Sequence, residues 1–181
     1  MNAGKTSKRK KSVLRVSRIS EDLDKLLQRD AEDKRMSVNA LVISILTKYA
    51  EWDRYSDRFG YVSVGRELFK AILETADREQ LETIGDELGA QLPKQFILFW
   101  FKKINLETFL EYASLVSRYG GISKSEVEFE GRECTVSSLH ELGPKWSAFM
   151  QHFLDGSLQS TLGIKAKFDT TKNSVVATFA T

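Results

Sequence analysis

The hydrophobic pattern changes period along the chain, and those changes mark the elements. From Lys11, the apolar residues Val13, Leu14, Val16 and Ile19 are interleaved with Arg15, Ser17 and Arg18, with no Gly or Pro, which predicts a short strand. At Ser20 the spacing becomes helical. Ser20 suits a helix cap, Glu21 and Asp22 fall in the positive first turn, and Leu23, Leu26, Leu27 and Ala31 form one stripe. Ser37 suits a second cap, before a face of Val38, Leu41, Val42, Ile45, Leu46, Tyr49 and Trp52 that runs on until Gly60. One strand and two helices cannot close a core, so the strand must find another edge, and a second copy of the chain offers the cheapest one.

Beyond an extended connector over Tyr61–Gly65 the pattern is that of a new globular unit. A helix is predicted over Arg66–Thr75 with Leu68, Phe69, Ile72 and Leu73 on its apolar face, and another from the cap Asp77 with Leu81, Ile84 and Leu88 inward. Pro93 is expected to open the next segment. Its run Phe96–Phe101 is too continuous for an exposed helix and reads as a buried helix or a strand, with helix preferred. Leu106–Tyr119 is expected to form a further helix ending at Gly120 and Gly121. Then comes a hairpin turning at Glu130 and Gly131, a long helix with Pro144 in its first turn, and a second hairpin turning at Lys172 and Asn173. The fold class is α+β, with antiparallel hairpins in one sheet and helices on a face. The domains expected are a disordered basic arm over 1–10, a dimerising module over 11–59 and a helix-rich α+β domain over 60–181.

Charge sharpens the picture at one end only. The net charge is +2, yet up to Arg18 the chain carries Lys5, Lys8, Arg9, Lys10, Lys11, Arg15 and Arg18 and no acid. Such an arm is drawn to phosphate or to anionic lipid. No apolar run is long enough to span a membrane, and the basic start lacks the apolar core of a signal peptide. The single Cys134 excludes an intrachain disulfide and a multi-cysteine metal site, which suits a reducing cytoplasm.

The basic strand, the Ile-Ser-Glu-Asp-Leu entry to the first helix (Ile19–Leu23) and the Met-Ser-Val-Asn-Ala-Leu-Val start of the second (Met36–Val42) together resemble the ribbon-helix-helix DNA-binding family. The resemblance covers about the first third of the chain. It implies a homodimer whose paired strands enter the major groove of double-stranded DNA, with higher oligomers on DNA within its reach. Arg15, Ser17 and Arg18 would then face the bases, a guanidinium being able to donate twice to guanine. Lys8, Arg9, Lys10 and Lys11 would track phosphates, and the N-terminus of the second helix at Ser37, Val38 and Asn39 would hold a phosphate oxygen. Strict alternation counted back from Ile19 turns Arg15 and Ser17 inward; counting from Leu14 and Val16 turns them outward, and a bulge near Ser17 and Arg18 reconciles the two.

Near the other end, His140 to Ser147 resembles the C-terminal part of sensor domains related to the vinyl-reductase and heme–nitric-oxide-binding groups, which implies a similar topology and carries over no ligating residue. No Gly-rich phosphate loop, nucleophile elbow or paired metal motif occurs, so no catalytic residue, metal or cofactor is expected. His140, His152 and Cys134 are read as packed residues, and the aromatic run as core. The expected function is a cytoplasmic, nucleoid-associated transcriptional regulator whose second domain answers a small-molecule or protein effector. The alternatives are an antitoxin-like interaction module, or a ligand or cofactor sensor with DNA binding auxiliary.

Overall fold

The computed structural model describes residues 13–181. The chain divides into two compact units, Met1–Tyr49 and Ala50–Thr181. The expected arm over 1–10 lies outside the described residues.

In the first unit, helix α1 (Glu21–Asp33) starts at Ser20, whose Oγ accepts the Leu23 N–H at 3.3 Å. Helix α2 (Val38–Lys48) starts at Ser37, whose Oγ accepts the Ala40 N–H at 3.1 Å. Both caps stand where the sequence placed them. The strand expected before α1 does not: Val13–Ile19 has no regular secondary structure. A strand exists only as a member of a ladder, and this segment pairs with no other described part of its own chain. The inward faces also need correcting. Ala31 and Leu41 are buried and Leu27, Val38 and Val42 half-buried, but Leu23, Leu26, Ile45, Leu46 and Tyr49 are exposed. Two short helices can shield only the narrow strip where they touch.

The chain continues through a π-helical stretch (Tyr49–Asp53), a single turn α3 (Arg54–Ser56) and a 3-10 turn (Asp57–Phe59), and Gly60 ends it at φ +67°. Trp52, expected on the apolar face of the second helix, packs among aromatic residues of the second unit, against Tyr61, Trp100 and Tyr119.

Helix α4 (Arg66–Thr75) is closed at its C-terminus by Lys145, whose Nζ donates to the carbonyls of Glu74 and Ala76, both at 2.7 Å. Of its expected apolar face Leu73 is buried, whereas Leu68 and Ile72 are exposed. Helix α5 (Arg78–Phe101) is capped by Asp77, which accepts the N–H groups of Glu79 and Gln80. It does not restart at Pro93; the proline lies inside one uninterrupted helix. An interior proline removes one helix hydrogen bond and costs about 3 kcal/mol. That loss is offset here by packing, because Pro93 is fully buried in the stripe Gly85, Gly89, Pro93 and Ile97. The same stripe corrects the inward face, since Ile84 and Leu88 point to solvent.

α5 lies against α7 (Pro144–Leu162) across its glycines. A Cβ on Gly89 would stand 2.3 Å from the Phe153 carbonyl oxygen, and one on Gly85 2.7 Å from that of Phe149. Between them comes α6 (Leu106–Tyr119), opened by a capping box of Asn105 and Thr108. The hairpins are β1 (Lys124–Glu130) with β2 (Glu133–Leu139), and β3 (Lys167–Thr170) with β4 (Ser174–Ala180). They join through antiparallel β2–β4 pairing into one sheet of order β1-β2-β4-β3. The α+β class and both hairpins follow the sequence expectation. Cys134, Val136, Ser138, Val175, Ala177 and Phe179 alternate onto the buried face, where Phe96, Ile97, Tyr112 and Leu158 complete the core.

Candidate nucleic-acid interface

Arg15, Ser17 and Arg18 are all exposed, on the segment that precedes α1. Leu14 at 88% and Val16 at 87% exposure are open to water too. A single chain therefore gives this segment no inner face. Lys8, Arg9, Lys10 and Lys11 lie outside the described residues.

Ser37, Val38 and Asn39 open α2. Ser37 spends its hydroxyl on the Ala40 N–H and its carbonyl on the Leu41 N–H. The Val38 and Asn39 N–H groups have no partner among the described residues and sit at the positive end of the helix. The approach to this turn is unusual. α1 closes with the Arg35 N–H donating to the Glu32 carbonyl and the Met36 N–H to the Ala31 carbonyl, both at 2.9 Å, with Arg35 at φ +54°. Glycine normally fills such a left-handed position. Here it is filled by a cation that stands with Lys34 just ahead of the α2 N-terminus. Sequence reading did not single out this geometry, because no glycine marks it. The two candidate sets stay on separate elements, with no hydrogen bond between them.

The second unit's candidates resolve differently. His140 is buried: its Nδ1 accepts the Leu142 N–H at 3.3 Å, so its Nε2 carries the proton and donates to Ser147 Oγ at 2.9 Å. Ser147 in turn donates to the Lys172 carbonyl at 3.1 Å. This polarity is the reverse of a nucleophilic pair, in which histidine accepts the serine proton. Ser147 is itself buried. The two residues therefore tie the end of β2, the start of α7 and the Lys172 turn together. Burial pushes the His140 pKa below its ordinary 6.5.

The folded protein keeps His140 neutral while the unfolded chain takes up a proton as pH falls through about 6.5, so stability is lost on acidification and unchanged above that range. The melting temperature of His140→Gln is accordingly expected below that of the wild type at about pH 7, with the gap narrowing towards about pH 5. A gap independent of pH would show that His140 does not titrate in this way.

His152 is half-exposed and meets Asp86, its Nδ1 lying 3.0 Å from Oδ1. Cys134 is buried, which raises its thiol pKa. The run Phe96–Phe101 is buried only in part: Phe96 and Ile97 lie in the core, Phe99, Trp100 and Phe101 are half-buried and Leu98 is exposed, because a helix turns one side of any continuous run outward. Phe96 touches Phe59, Tyr61, Trp100 and Tyr112. Burial pushes the Tyr61 phenol up to about 12. Among the described residues, no group of three or more His, Cys, Asp and Glu could hold a metal ion, and no helix is long and apolar enough to cross a membrane.

No protein-family model matches the chain, and no curated protein matches it. The ribbon-helix-helix resemblance thus rests on Ile19–Leu23, Met36–Val42 and the basic segment alone.

Proposed function

We propose that the first unit is a ribbon-helix-helix module that dimerises and binds double-stranded DNA in a sequence-specific manner, making the protein a transcriptional regulator with the second unit as its effector domain. One observation carries this reading. The two helices bury only Ala31 and Leu41, leaving Leu14, Val16, Ile19, Leu23, Leu26, Ile45 and Leu46 in water. An exposed apolar set of this size is unfavourable for a lone chain, and pairing two copies through the segment before α1 would cover it. The ribbon is thus a property of two chains, which accounts for an unpaired Val13–Ile19 in one.

In that arrangement Arg15, Ser17 and Arg18 contact bases. The free N–H groups of Val38 and Asn39, with Lys34 and Arg35, meet phosphate. Selection of genomic DNA by the purified protein at fixed salt supplies the preferred site. On that site, Arg15→Ala is expected to cost about 1–3 kcal/mol of discrimination against scrambled DNA while the dimer stays folded. Equal preference in both proteins would remove Arg15 from base reading.

A further inference from the structure

Among the described residues β1 forms one border of the sheet, with only β2 beside it. Its Ser125 N–H turns away from β2 and donates to Ser117 Oγ at 2.7 Å. By the two-residue period of a strand, the N–H and C=O of Val127 and Phe129 also point outward, where no described strand meets them. The side chains of this border are not protective. Val127 is 38% and Phe129 57% exposed. They form one wall of a cleft of about 650 Å³ whose other wall is Leu106, Leu110 and Ala113 of α6. Edge strands are usually guarded by charge facing inward or by being short; this one is seven residues long and offers an apolar groove.

The charges nearby are mostly of one sign, Lys124 at the start of β1 being the exception. Glu126, Glu128 and Glu130 project from the opposite face of β1, and Glu107 and Glu111 line the far rim of the cleft. None of these five carboxylates is in an ion pair among the described residues. Self-pairing of β1 about Val127 would set Glu126 against Glu128 twice at its centre, where like charges repel, and Lys124 against Glu130 twice at its ends, where they attract.

We propose that β1 is a docking edge for an extended cationic segment of a partner protein. The segment adds as a fifth strand, alternating apolar residues into the cleft with Lys or Arg over Glu126 and Glu128. Backbone hydrogen bonds to Val127 and Phe129 supply the register, and the acidic rows select the sign of the partner. The inference stands apart from the DNA reading, since it uses no residue of the first unit.

The test uses the full chain with two synthetic peptides, acetyl-Lys-Val-Lys-Val-Lys-Val-Lys-amide and its counterpart with Glu for every Lys, read by amide hydrogen exchange. The Lys peptide is expected to slow exchange at Val127 and Phe129 by about tenfold or more at saturation, an effect that added salt weakens. The Glu peptide leaves them unchanged. Glu126→Lys with Glu128→Lys, on the exposed face, should transfer the preference to the Glu peptide. Val127→Pro, which removes an outward N–H and spares the β2 ladder, should abolish protection. The proposal is overturned if neither peptide protects β1 or if both protect it equally. It is also overturned if protection grows with protein concentration alone, which would make the occupant a second copy of this chain.

Discussion

Gly89→Ala is expected to destabilise the second unit by on the order of 3 kcal/mol, although alanine is the better helix former. Propensity alone would raise stability by roughly 0.5–1 kcal/mol. The sign is decided by the Phe153 carbonyl oxygen, 2.3 Å from where the new Cβ would stand, with the Phe153 carbonyl carbon and Cα at 2.9 Å. These are backbone atoms of α7 and cannot swing aside like a flexible side chain, so α5 and α7 must separate. Separation would open the core around Ile97 and Leu158, both essentially sealed from solvent. Thermal melts followed by tryptophan fluorescence measure the effect, with exposed Glu87→Ala on the same helix as the control that should barely move. A melting temperature unchanged or raised in Gly89→Ala would show that the helices do not approach so closely.

Leu41→Asp should abolish the first unit's structure. Leu41 is 3% exposed, and with Ala31 it makes up the buried residues of that unit among those described. Truncating such a leucine costs about 2–5 kcal/mol, and leaving an unpaired carboxylate in its place adds the price of desolvating a charge. A unit with so little interior has no reserve against either. The expected result is loss of the helical circular-dichroism signal of α1 and α2, together with loss of the dimer and of DNA affinity by on the order of 100-fold or more. Light scattering that finds a folded monomer still binding DNA would defeat the interlocked-dimer reading.

The punctuation of this chain was legible because it is local. Ser20, Ser37 and Asp77 cap helices through side chains reaching two or three residues along, and both hairpins turn at the polar breaks between alternating runs. Pro93 misled for a physical reason. Proline is a sound stop signal when nothing rewards its presence in a helix, and the reward here is burial against α7, which only tertiary structure shows. Ile84 and Leu88 misled likewise: the side of α5 that faces its neighbour is chosen by how closely two backbones approach, which favours Gly85 and Gly89 over larger apolar residues. In the first unit the apolar pattern was plain, but only Ala31 and Leu41 among its described residues are buried, because two short helices cover little of each other. Of the candidate site, the α2 N-terminus could be read from Ser37. The left-handed Arg35 could not, because a residue without glycine's freedom gives no sign of its backbone.

The chain's three tryptophans are Trp52, Trp100 and Trp146, and all belong to the second unit. Trp52 and Trp100 lie near parallel, their rings 5.9 Å apart. Indole emission therefore reports on the second unit alone, whereas the peptide far-ultraviolet signal sums over both. Comparing the two channels in one sample gives separate denaturation curves for the two units without any label, and shows directly whether DNA addition shifts one curve or both.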